Sequence, residues 1–167
     1  MNNAGRAIFW GGFWCGVLDI TSAIVAFGIA FGTSPMRIFR SVAGGLLGRE
    51  QAAHGGVGVA ALGLACHFLI AFGAAAAYWL VSRKFRFLVE KPILAGLLYG
   101  EVVFLFMHLV VLPLSAYHAP LNDWMTLKPW PVLITGLVGH PFCVGLPIAL
   151  AASKYSGRGE TLVSAER

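Results

Sequence analysis

This sequence predicts an all-α integral membrane protein, a four-transmembrane-helix bundle built from two parallel two-helix repeats. Three observations carry that fold class. Apolar side chains make up 58% of the 167 residues and charged ones only 11%, about half the charged share of an ordinary soluble domain. The mean hydropathy is +0.78. The apolar residues also fall into four runs, each able to cross a hydrocarbon core of roughly 30 Å at about 1.5 Å per residue. So much apolar surface needs lipid as its solvent. The 21 glycines suit helices that approach closely in a membrane.

The first run covers residues 7–31. A short basic start, Arg6, precedes it as in a signal peptide, but the run is too long for an h-region and Asp19 interrupts it. It is expected to stay in the protein. Ser34 and Pro35 then supply an N-cap and a first helical residue. From there Met36, Phe39 and Ala43 share one side, with Arg37 and Arg40 away from them. That pattern predicts a short interfacial helix whose apolar side faces the acyl chains. Gly44, Gly45 and Gly48 are expected to end it, and Arg49 and Glu50 to begin a polar connection to Gly56.

The second run, 57–81, stops at Arg83, Lys84 and Arg86. The third, 93–114, has Pro113 near its end. The connection 115–131 carries Tyr117, Trp124 and Trp130, aromatic residues suited to the headgroup level. The fourth run, 132–152, is followed by Lys154 and a polar tail, 156–167, expected to be flexible.

Basic residues orient the chain. Arg6, Arg83, Lys84, Arg86, Lys91, Lys154, Arg158 and Arg167 share the side of the termini; Arg37, Arg40, Arg49 and Lys128 lie on the other. The excess predicts both termini in the cytoplasm and a location in a bacterial inner membrane.

Internal similarity divides the chain into repeat one, 7–82, and repeat two, 93–153. The first run of each carries GxxxG, at Gly12/Gly16 and Gly96/Gly100. The second carries GLxxH, at Gly63/His67 and Gly136/His140. Each hairpin also has a proline after its first helix, Pro35 and Pro120. Two parallel repeats would be related by a pseudo-two-fold axis along the membrane normal, bringing His67 and His140 to one depth. The GxxxG pairs could serve a homodimer or the contact between repeats.

Three stretches, FRSVAGGLLG from Phe39, GLACHFLIAFGAAAAYWL from Gly63 and AGLLYGEVVFLFMHLVVLPLSA from Ala95, carry a likeness to known proteins. In them the chain resembles a widespread group of small, uncharacterised four-helix bacterial inner-membrane proteins. The resemblance implies location and topology and transfers no activity or site residue.

Candidate functional residues are the ionisable ones inside the runs: Asp19, His67, Glu101, His108 and His140. At membrane depth such groups are costly, face the bundle interior and find partners. Helical spacing puts Gly12, Cys15, Asp19 and Ser22 on one face of the first run, Gly63 and His67 on the second, Glu101 and His108 on the third, and Gly136, His140 and Cys143 on the fourth. Counting along the runs brings Asp19 within reach of both repeated histidines. The expected central polar cluster is therefore Asp19, His67, His140 and His108, with Glu101, Cys15, Cys66, Cys143 and Ser22 as secondary members. Pro141 directly after His140 frees backbone carbonyls there.

Three readings stay open. The cluster could bind or pass a small solute, a proton, or a divalent metal ion held by His67, His108, His140 and Asp19. It could hold one b-type haem between His67 and His140. Or its members could simply hydrogen-bond the helices together. No cofactor is the leading expectation, with haem or metal as alternatives.

Other classes find little footing. There is no GxSxG elbow, no P-loop or dinucleotide fingerprint, and no basic run or aromatic platform for nucleic acid. The three cysteines lie in apolar runs without a CxxC pair, as buried small hydrophobes do. The expected partners are the lipid bilayer and a possible second copy of the chain, without nucleic acid or nucleotide, and no enzymatic activity is expected.

Overall fold

The computed structural model describes residues 1–118 and 134–156. Among them the chain is all-α: α1 (Asn3–Phe31), α2 (Pro35–Leu47), α3 (Arg49–Ala53), α4 (Val57–Ser82), α5 (Phe87–Glu90), α6 (Pro92–Leu114) and α7 (Thr135–Lys154). Of these, α1, α4, α6 and α7 are long and apolar enough to cross a membrane. Pro120, Trp124, Lys128, Trp130, the expected start of the fourth run at Val132 and most of the polar tail lie outside the described residues.

Local chemistry sets the helix ends. Asn2 Oδ1 accepts from the Gly5 N–H at 2.8 Å and starts α1. Gly32, at a φ of 62°, closes it: its N–H donates to the Gly28 carbonyl at 2.9 Å and that of Thr33 to Phe27 at 3.3 Å. Ser34 caps α2 with Pro35 in its first turn.

The α2 region departs from expectation. The helix runs through Gly44 and Gly45 to Leu47, and the expected polar connection contains α3. Part of its apolar side packs on protein, while Met36 stays exposed. Ile38, Ala43 and Gly44 are buried, and α2 lies against α4. Gly63 is the reason: a Cβ there would collide with the Phe39 carbonyl and stand 3.0 Å from the Ala43 nitrogen. Only glycine lets these two backbones meet. Arg40 also turns inward instead of away. Its Nη1 donates to the carbonyls of Ala53 at 3.0 Å and Gly55 at 2.8 Å, fastening the α3–α4 link.

The spanning helices pack in sequence, α4 on α1, α1 on α7 and α7 on α6. The middle is therefore α1 and α7, flanked by α4 and α6. Cys15, Ala71, Ala75, Tyr78, Val144 and Ile148 belong to the core between α1, α4 and α7. Bulky residues such as Ile29, Leu69, Leu80, Leu98 and Val102 stay exposed on the outer faces, where lipid covers them.

The start of α1 and the end of α7 lie at one face of the molecule, with Trp10 and Trp14 lining a groove beside Lys154 and Tyr155. Side chains tie that face together. The Tyr78 hydroxyl donates to the Leu88 carbonyl at 2.8 Å and Ser153 Oγ to the Val89 carbonyl at 2.7 Å, both in α5. Tyr99 of α6 donates to the Ala74 carbonyl of α4 at 2.8 Å, its ring 4.8 Å from that of Tyr78.

Both GxxxG pairs sit inside their own hairpins, against neither a second copy nor the other hairpin. Positions for a Cβ at Gly12 and Gly16 are taken by the rings of Phe72 and Phe68 on α4. Those at Gly96 and Gly100 are taken by backbone atoms of α7, from Leu146 and Gly145 and from His140 and Pro141. Gly145 answers from the other side, against the Gly96 carbonyl.

Two stretches depart from regular α geometry. Met107–Val111 in α6 and Thr135–Gly145 in α7 wind as π-helix, a form ordinarily confined to single turns. Each contains a histidine whose ring bonds back into its own helix. His108 Nδ1 donates to the Phe104 carbonyl at 3.0 Å and His140 Nδ1 to Thr135 at 2.9 Å. Such an insertion into the backbone ladder, together with the N–H missing at Pro141, disfavours ordinary i to i−4 bonding.

Candidate functional site

Asp19 and His67 meet across the α1–α4 contact. His67 Nε2 donates to the Gly16 carbonyl at 2.9 Å, and its Nδ1 stands 4.0 Å from Asp19 Oδ2. The two side chains are 23% and 12% exposed, aspartate first, so both are largely withdrawn from the surroundings. Glycine at position 16 serves this contact doubly. Its missing side chain makes room for Phe68, and its carbonyl is reached by the imidazole one residue earlier.

The Gly16 bond decides the histidine's tautomer. A proton on Nε2 leaves Nδ1 with a lone pair unless the ring carries a second proton. A lone pair facing an ionised carboxylate would be repulsive.

On the side of α1 toward α7, Ser22 Oγ donates to the Asp19 carbonyl at 2.9 Å and is also in hydrogen-bonding contact with the Cys143 sulfur. Gly139 leaves Ser22 Oγ room at 3.6 Å. Cys15 is buried and Cys143 half-buried. The face of α1 that carries Cys15, Asp19 and Ser22 thus lies toward α4 and α7, with Cys15 buried and Asp19 and Ser22 half-buried. Cys66 is half-buried on α4 and stays outside this group.

His140 and His108 belong elsewhere. Both rings lie against Phe104, with centroids 5.3 Å and 4.3 Å from it. A Cβ at Gly136 would collide with the same phenyl ring, so the glycine makes the seat for Phe104. In the neutral form of either ring, a proton on Nδ1 leaves the lone pair on Nε2. Glu101, half-buried on α6, makes no hydrogen bond or ion pair among the described residues.

The expected four-residue cluster is therefore divided. Asp19 reaches His67 and not His140, and His108 and His140 gather round Phe104 in the second hairpin. No group of three or more His, Cys, Asp or Glu side chains fit to hold a metal ion occurs among the described residues. A haem between His67 and His140 does not fit either. One His67 nitrogen is held by the Gly16 carbonyl, the other faces Asp19, and the His140 ring is packed on Phe104.

One polar site escaped the sequence reading. Arg37, Arg40, Arg49 and Tyr117 line a cavity of about 460 Å³ between α2, α3 and the end of α6. Arg40 Nε is buried there without a hydrogen-bond partner among the described residues, an omission that costs about 1–3 kcal/mol or more for a charged group. Arg49 stacks over the Tyr117 ring at 4.3 Å, and Gly44 leaves space for that ring. The signal was weak because Arg37 and Arg40 of α2 meet Arg49 of α3 and Tyr117 beyond α6 only through the fold, with no common period in the sequence.

No protein-family model, curated protein or solved structure matches the chain. Its four long apolar helices mark a multi-pass membrane protein. The likeness to four-helix inner-membrane proteins extends no further than those helices.

Proposed function

We propose that this protein binds a proton at Asp19–His67 and passes it, or a small solute linked to it, through the membrane. The observation that carries this reading is the His67 ring held by Gly16 at Nε2 with Asp19 facing its Nδ1. A carboxylate and an imidazole 4.0 Å apart exchange a proton once the side chains close to hydrogen-bond distance or a water bridges them, without either standing alone in lipid. Ser22 and Cys143 continue the polar line toward α7. The activity is binding and transfer, without a catalysed covalent step.

The protein sits in a bacterial inner membrane with both termini in the cytoplasm, following its basic residues. Duplication of a two-helix unit accounts for the parallel in its two hairpins. In the first, His67 bonds the second glycine of GxxxG; in the second, the His140 backbone packs on the second glycine, Gly100. A second copy of the chain is the partner that would complete a conducting path, since four helices filled by side chains leave no wide channel.

Reconstituted vesicles with an imposed pH gradient and an internal pH dye test the reading. Wild-type protein is expected to collapse the gradient faster than empty vesicles, and Asp19→Asn and His67→Gln to lose most of that gain. Equal rates for wild type and both variants would reject it and leave the pair as a helix-to-helix bond alone.

A further inference from the structure

We infer that the cavity between α2, α3 and the end of α6 binds a phosphate group, carried by a lipid headgroup or free in solution. The inference stands apart from proton transfer, since the cavity shares no residue with the Asp19–His67 pair. Three arginines, Arg37, Arg40 and Arg49, line one space of about 460 Å³ together with Ser41 and Tyr117. Arg37 and Arg40, one turn apart on α2, set two positive charges at this space, and an anion beside them is favoured. Guanidinium forks match the oxygen geometry of phosphate and hold it through charge-assisted hydrogen bonds.

The site is built, not merely charged. Arg40 is fixed by two hydrogen bonds from Nη1 to the Ala53 and Gly55 carbonyls. That arrangement leaves Nε, a buried donor, without a partner among the described residues. Buried polar groups are nearly always satisfied, so this donor points to an acceptor that the described residues do not supply. Tyr117 forms another wall, seated by Gly44 and covered by Arg49. The neighbouring Ala116 N–H donates to the Gly45 carbonyl at 2.9 Å, which joins the end of α6 to α2 beside the cavity.

Position agrees with a headgroup. The cavity lies at the end of α1 and the start of α4, the face opposite the chain termini, where spanning helices meet the surface of the bilayer. A phosphate there would sit at the boundary between acyl chains and water.

Purified full-length protein tests this in two arms. One follows retention of phosphatidylglycerol by native mass spectrometry, with oleate as an anionic lipid lacking phosphate. The other follows radiolabelled inorganic phosphate by equilibrium dialysis. Saturable binding of about one phosphate group per chain is expected. It should weaken roughly tenfold in Arg37→Gln, the loss of one charge-assisted hydrogen bond. Arg40→Lys, which keeps the charge and removes Nε, should also weaken it, and Lys154→Gln at the opposite face should not. Binding of phosphatidylglycerol alone assigns the site to a headgroup, and binding of inorganic phosphate assigns it to the free ion. The inference is overturned if neither probe binds, if oleate binds equally well, or if Arg37→Gln and Arg40→Lys bind like wild type.

Discussion

Two carboxylates enter the spanning helices, and their surroundings assign them opposite behaviour on neutralisation. Asp19 faces an imidazole that is itself anchored to Gly16. Asp19→Asn is therefore expected to destabilise the protein, by about 0.6 kcal/mol if the pair acts as an average interhelical bond and by about 1.7 if it matches the strongest measured. Glu101 has no such partner among the described residues, and a charge at membrane depth costs roughly 2.5–3.5 kcal/mol. Glu101→Gln should leave the melting temperature in detergent unchanged or raise it. Thermal melts of the two variants side by side check the contrast, and a lower melting temperature for Glu101→Gln would refute it. Of these two residues, the sequence made Asp19 readable. It lies mid-run on a face otherwise made of small residues, whereas nothing in the spacing around Glu101 reveals that its face stays without a partner.

At the level of helices, the two GxxxG motifs do different work despite their common spacing. Gly16 is opposed by a phenyl ring that can rotate, but Gly100 is opposed by the backbone of His140 and Pro141. Gly16→Ala should cost no more than the about 1–3 kcal/mol of an overpacked core. Gly100→Ala should cost more, because α6 and α7 would have to separate. Unfolding in detergent that ranks the two the other way would contradict this. The spacing of small residues showed which faces pack, but not whether a ring or a backbone waits opposite. The π-helical turns limited the reading further. A 3.6-residue period places Gly136, His140 and Cys143 on one face, yet π winding turns the chain less at each residue. His140 consequently meets Phe104 of α6, and Cys143 meets Ser22 of α1. Neither the extra winding nor its cause, a histidine ring bonding into its own helix, leaves a periodic trace in the sequence. The four long runs were legible for the opposite reason, since length and hydropathy alone define them.

For the whole molecule, the start of α1 and the end of α7 share one face and the α2–α3 region occupies the other. Single cysteines placed at Asn3 and Ser156 should react with a membrane-impermeant thiol reagent from the same side of sealed vesicles. One at Ser34 should react from the opposite side, and labelling of all three from one side would refute the topology. The native Cys15, Cys66 and Cys143 lie within the spanning helices and would be replaced by alanine for the measurement. The order of packing also bears on how the chain is made. Synthesis delivers α1 and α4 first, and these can pair at once through Gly12, Gly16 and His67. Helix α6 follows, but the surface that accepts Gly96 and Gly100 belongs to α7 and does not yet exist. The hydroxyl of Tyr99 on the Ala74 carbonyl then gives α6 a foothold on the finished hairpin. Its other packing residues face lipid until the last helix arrives between α6 and α1, as a keystone closes an arch.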